Sequence, residues 1–171
     1  MQGGIKMDEK LLEHLNKQIN KEMYSAYLYF AMSNYFININ MEGFAKVVKE
    51  QAKEELNHAK KIYNYIIARN EQVVLYPIEA PDTNWINSID TIKNALSHEE
   101  FITSQFNELF EMARNLKDYA TEVFLQWFIE EQVEEEDKFR TLLEKMENVD
   151  NCDCEIMHID RNLKIDEEYV E

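Results

Sequence analysis

Glu22 is followed 33 residues later by Glu55 and 36 later by His58, and Glu99 is followed 33 residues later by Gln132 and 36 later by Glu135. The two sets lie 77 residues apart. In each set a carboxylate on one helix would face an i, i+3 pair of donors on the next, and residues three apart share a helix face. Helical bundles build metal centres this way, from side chains that facing helices turn into the core. Four carboxylates, one imidazole and one amide are hard to borderline donors, better suited to iron or manganese than to a thiolate-seeking ion. Zinc could occupy such a site opportunistically. Calcium is disfavoured, because imidazole helps it little and helices offer no loop carbonyls.

Such a centre needs four helices, and four long amphipathic patterns are present. The first opens at Asp8, a good N-cap residue, and runs to about Asn38. The second starts beside Gly43 and runs to about Asn70, the third from about Asp90 to Arg114, and the fourth from its cap at Asp118 to about Asn148. A short fifth helix is expected from about Cys154 to Lys164. Residues 71–87 hold both prolines, Pro77 and Pro81, and read as one long crossover. From Asp82 onward there is neither Gly nor Pro, which favours long helices over a turn-rich β fold. The two short joins make antiparallel hairpins. The expected fold is therefore all-α: an antiparallel four-helix bundle with one long crossover and a short fifth C-terminal helix. The 171 residues read as one domain, with an N-terminal extension (1–7), the bundle (8–148), the fifth helix (149–165) and an acidic tail (166–171).

Apolar seams run along each helix at alternating spacings of three and four. The first passes through Leu15, Ile19, Glu22, Ala26 and Tyr29, the second through Val48, Gln51, Glu55, His58 and Ile62. The third passes through Leu96, Glu99 and Ile102, the fourth through Phe128, Gln132, Glu135 and Phe139. Each seam is interrupted near its middle by a residue able to bind metal. A buried ionised carboxylate is costly unless neutralised, paired or bound to a cation. No Lys or Arg falls on these seam positions, so two divalent cations are the expected compensation for four glutamates. One Glu on a seam is ordinary in a chain with 34 acidic residues; four at matched spacing are not.

The formal charge of −16 argues against nucleic acid, whose binders need a basic face, and against anionic membrane surfaces. A negative field raises the local concentration of cations. No apolar run is long enough for a membrane span, and the first residues lack the apolar core of a secretory signal. Met7 is an alternative start. Cys152 and Cys154, one residue apart, are close neighbours that rarely form a stabilising disulfide, so a reducing, cytoplasmic location is expected.

Over about residues 8–165 the chain resembles the bacterial non-haem ferritins. The resemblance rests on Lys21-Glu22-Met23-Tyr24-Ser25, Glu54-Glu55-Leu56-Asn57-His58, His98-Glu99-Glu100 and, most specifically, the run from Phe124 to Glu136. It implies a ferroxidase centre with two iron positions. Glu22, Glu55 and His58 would form the first, with Glu55 bridging; Glu99 and Glu135 would hold the second, with Gln132 close by. A third iron position would use Glu54, Glu131 and Glu134, which by spacing alone could equally be a solvated helix face. Tyr29, two turns from Glu22 and roughly 10 Å along the axis, would be the tyrosine beside the centre, serving as hydrogen-bond donor or single-electron source. By composition alone it is a core aromatic. The resemblance also implies Fe²⁺ oxidised by dioxygen or peroxide, self-association into a hollow shell of 24 subunits, and storage of ferric mineral inside it.

Two enzyme relatives fit less well. Di-iron oxygenases generally carry Glu-x-x-His in both hairpins, whereas the second copy here is Gln132-x-x-Glu135. The haem-bearing ferritins would place a methionine where this chain has Leu56, so no haem is expected. A non-catalytic helical scaffold remains the reading from a different class. Trp127 lies near the cluster as packing, and His98 points about 100° away from Glu99 on its helix, so neither is assigned as a ligand.

Overall fold

The computed structural model of the chain describes residues 6–149 and 153–165. Residues 1–5 of the expected extension, Cys152 and the tail 166–171 lie outside the described residues. The helices are α1 (Glu9–Asn38), α2 (Glu42–Ala68), α3 (Ser88–Asn115), α4 (Tyr119–Glu147) and α5 (Asp153–Ile165), with no strand among the described residues. The architecture is the expected all-α four-helix bundle with a short C-terminal helix. None of the helices is long and apolar enough to cross a membrane.

Local chemistry sets the helix limits. Asp8 accepts from the backbone N–H groups of Lys10 and Leu11, and Asp118 from that of Thr121. Each satisfies donors that the first helical turn leaves open. The third helix begins before the expected Asp90 because Asn87 is the cap, its side chain accepting from the Asp90 N–H. The first three helices end alike, with Asn40, Asn70 and Lys117 in the left-handed region at φ 60°, 58° and 57°. Behind each, a hydrogen bond reaches back five residues, as from the Met41 N–H to the Phe36 carbonyl. This closes orphan carbonyls and reverses the chain.

α1 pairs with α2, and α3 with α4. The hairpins approach most closely along α1 and α3, while α2 and α4 meet through side chains. Residues 69–87 carry the chain along α1. The Asn16 side chain accepts from the Val74 N–H at 2.8 Å, and Asn20 donates to the carbonyls of Tyr76 and Pro77. Met7, assigned to the extension, is buried against the bundle, and its N–H donates to Glu71 at 3.0 Å.

The apolar interior is split in two. One cluster, around Phe36, Phe44, Phe139 and Met146, fills the end nearest α5; the other, around Leu11, Ile62, Phe106 and Phe128, fills the opposite end. Between them the interior is polar, and the two clusters hold that layer in place from above and below.

α5 docks on the start of α2. Met41, the α2 cap, makes no side-chain cap hydrogen bond; instead the buried Asp160 carboxylate of α5 accepts from the Phe44 N–H at 2.9 Å. The approach is close enough to require Gly43, where a Cβ would stand 1.9 Å from the Asp160 carbonyl oxygen. Cys154 is disulfide-bonded, contrary to the expectation from its spacing.

Candidate metal centre

The polar layer contains the six seam residues. Glu22 comes from α1, Glu55 and His58 from α2, Glu99 from α3, and Gln132 and Glu135 from α4; all are buried. The helical spacing that placed them on the seams turns them inward together.

In the first hairpin each glutamate is held by a glutamine one turn before it. Gln18 donates to Glu22 Oε1 at 2.6 Å, and Gln51 donates to Glu55 Oε1 at 2.9 Å. The remaining oxygens face one nitrogen: His58 Nδ1 lies 3.6 Å from Glu22 Oε2 and 3.5 Å from Glu55 Oε2. These three atoms have no hydrogen-bond partner in the structure. The separations exceed good hydrogen-bond geometry, so their attraction is Coulombic. Unpartnered buried polar atoms are rare and costly. Here they converge, and Glu22, Glu55 and His58 could hold a metal ion together.

The acidic residues of the second hairpin find partners, one of them, Tyr29, from α1. Tyr29 donates its hydroxyl proton to Glu99 Oε1. Gln132 Nε2 donates to Glu99 Oε2 at 3.1 Å. Lys138 Nζ donates to Glu135 Oε2 at 3.4 Å. A second trio able to hold a metal consists of His58, Glu131 and Glu135, so His58 belongs to both. Glu99 is in neither trio. Of the residues expected to form a third position, Glu131 is half-buried and converges with His58 and Glu135. Glu54 is ion-paired with Lys138 at 2.9 Å, and Glu134 is exposed and in neither trio.

The electrostatics reflect carboxylates crowded out of water. Burial, with Glu55 as neighbour, pushes Glu99 up to about 8. Burial raises Glu55 to about 7, and raises Glu135 to about 7 against the opposing pull of Lys138. Burial works against a charged His58, but Glu22 and Glu55 outweigh it and lift the imidazole to about 10. Tyr29 is pushed well above its ordinary value, first by burial and then by Glu99, which keeps it a neutral donor.

Three features escaped the sequence. Lys138 sits just off the α4 seam, beside Phe139, yet its long side chain swings in to the acidic residues. The expectation of no compensating lysine or arginine is therefore corrected: position on a seam does not limit where a flexible stem delivers its charge. Gln18 is marked in the sequence only by the recurrence of Gln-x-x-x-Glu, as Gln18/Glu22 and Gln51/Glu55. Thr103 supports Gln132 from α3 at 3.3 Å. His98 lies off the cluster, its Nε2 2.7 Å from Ser25 Oγ, and burial lowers it to about 4. The Trp127 ring stands edge-on to His58 at 5.5 Å.

Comparison with known proteins gives one consistent result. The ferritin-like domain model matches residues 12–149. The bacterial non-heme ferritin of Staphylococcus epidermidis (strain RP62A) is 42% identical over 153 residues, covering 90% of this chain and 92% of that protein. The Staphylococcus aureus (strain USA300) protein of the same description is 44% identical over 135 residues, covering 79% and 81%. Among solved structures, the open-pore ferritin of the archaeon Archaeoglobus fulgidus superposes with a TM-score of 0.91 at 38% identity, covering 93% of this chain and 98% of that one. An engineered closed form of the Archaeoglobus fulgidus ferritin gives 0.90 at 38% identity, covering 93% and 97%. With a family model spanning most of its length and relatives above 40% identity, the chain belongs to the ferritin family.

Proposed function

We propose that this chain is a ferroxidase: it oxidises Fe²⁺ at a two-iron site within one subunit and stores the ferric product inside a shell of 24 subunits. The observation that carries this reading is the convergence of Glu22 Oε2, Glu55 Oε2 and His58 Nδ1 in a buried layer without hydrogen-bond partners. A divalent cation among them would satisfy all three. Family membership supports iron as that cation and the shell as the container.

Fe²⁺ is the substrate. Glu22, Glu55 and His58 receive the first ion. Glu99 and Glu135, with Gln132 close by, would receive the second, and Glu55 would bridge them. Two Fe²⁺ each give up one electron. Dioxygen takes both with two protons and becomes hydrogen peroxide; peroxide as oxidant takes both with two protons and becomes water. Anionic oxygen donors stabilise Fe³⁺ more than Fe²⁺, which favours oxidation. Holding both ions by carboxylates of one buried layer keeps them within reach of one oxidant molecule. Gln132 is a weak ligand, which suits release of the ferric product toward a store. Glu54, Glu131 and Glu134 would provide a third position beside the pair, and Tyr29 stands as donor to Glu99.

The test is aerobic Fe²⁺ addition to wild-type, Glu55→Ala and His58→Ala proteins, with ferric absorbance followed from mixing and the product sized. Wild-type protein is expected to oxidise Fe²⁺ quickly and to carry iron in a particle far larger than one chain. Unchanged initial oxidation in both variants would refute the assigned roles.

A further inference from the structure

Lys138 places an ammonium group against the acidic side of the centre. Its Nζ is 2.5 Å from Gln51 Oε1, 2.9 Å from Glu54 Oε2 and 3.4 Å from Glu135 Oε2. The contacts span α2 and α4, helices of different hairpins, so this is not an ordinary ion pair along one helix surface. The Gln51 amide is fixed at both ends, its nitrogen donating to Glu55 and its oxygen accepting from Lys138. The lysine side chain is 36% exposed, so its head can exchange with solvent while its stem stays anchored on α4.

One amide and two carboxylate oxygens around a compact cation form a coordination set that a small metal ion would also accept. We infer that Lys138 is a tethered internal cation that fills a metal position beside the two-iron site, withholding Glu54 and Glu135 from a third ion until the side chain swings out. The inference rests on the metal-binding reading above and adds a regulator to it. The ammonium neutralises part of the acidic cluster in the metal-free protein, and a divalent ion arriving from solvent must displace it. A lysine does this better than an arginine would, because its charge is a point on a flexible stem and makes no bidentate fork with carboxylates. The consequence is a site that takes its first ion, at Glu22, Glu55 and His58, without disturbing Lys138, and a third only by displacing it.

The experiment is anaerobic calorimetric titration with Zn²⁺, a redox-inert probe, on wild-type, Lys138→Met and Lys138→Gln proteins. Wild-type protein is expected to take up two equivalents per chain, with any third weak. Both variants should bind a third equivalent roughly tenfold or more tightly than wild type, the size of coupling expected when one competing charge is removed. Lys138→Gln keeps a polar head without charge, so it reports on the charge even where methionine disturbs the fold. Identical isotherms in count and affinity for all three proteins overturn the role of Lys138 and leave the two-ion reading standing. No Zn²⁺ uptake by any of them overturns both.

Discussion

The two hairpins carry acidic side chains at matched spacing and leave them in opposite conditions. Glu22 and Glu55 each have one oxygen fastened by a glutamine and the other aimed, with His58, at a shared point that no donor fills. Glu99 has both oxygens engaged, by Tyr29 and by Gln132, and Glu135 has Lys138. Identical residue types therefore do different jobs according to what packs around them. The α1–α2 half is preformed for a cation, while the α3–α4 half must give up internal partners to receive one. Under the proposed function the expected outcome is ordered binding, with the first hairpin loaded before the second.

The largest effect should come from removing the preformed half. Glu55→Ala or His58→Ala is expected to weaken the first Zn²⁺ equivalent by about 100-fold or more, whereas Glu99→Ala should leave that equivalent within roughly threefold of wild type. Calorimetry measures both, and equal losses in the three variants would erase the distinction between the halves.

The next effect is a pH trend shared by both halves. Glu55, Glu99 and Glu135 sit at about 7, 8 and 7 against an ordinary 4.5. Their neutral forms are thus favoured by folding. That contribution is complete below the ordinary carboxylate value and is lost as pH rises through 7 to 8. His58, at about 10 against 6.5, adds stability below its ordinary value that is lost as pH rises through 10. All four shifts have the same sign, so metal-free protein should lose several kcal/mol of stability between about pH 5 and pH 9. Saturating Zn²⁺ should flatten the trend, and binding should release protons. Thermal melts across that pH range and a dye assay of proton release decide it.

A smaller change sharpens the role of the glutamine braces. Gln18→Leu should weaken the first equivalent by about tenfold and leave the second unchanged, read from the same titrations. The smallest effect concerns the satisfied half. Tyr29→Phe deletes one donor to Glu99 and should lower metal-free stability by about 1 kcal/mol, measured by urea unfolding, without altering the first equivalent.

The fold and the membership of the polar layer were legible because both follow from one periodicity. The spacing that keeps Ile19, Ala26 and Tyr29 on one face also carries Glu22 inward, and the same rule delivers Glu55, Glu99 and Glu135. What that rule does not contain is where a side chain's head ends up. Lys138 reaches the centre from beside the seam, and Glu131 converges with His58 and Glu135 while Glu134 stays in solvent. Those outcomes depend on rotamers and on the distance between α2 and α4, which the residues of a single helix do not encode. Asn87 shows the same limit in miniature, since choosing between neighbouring Asn and Asp caps required the backbone.

The seating of α5 carries a temporal consequence. The first turn of α2 is finished by Asp160, 116 residues downstream of the Phe44 N–H that it accepts from. During synthesis the first hairpin leaves the ribosome long before that carboxylate exists, so it must wait with a frayed start. The end of the bundle beside α5 is therefore completed last, and arrival of the last helix acts as a latch confirming that translation of the bundle is complete.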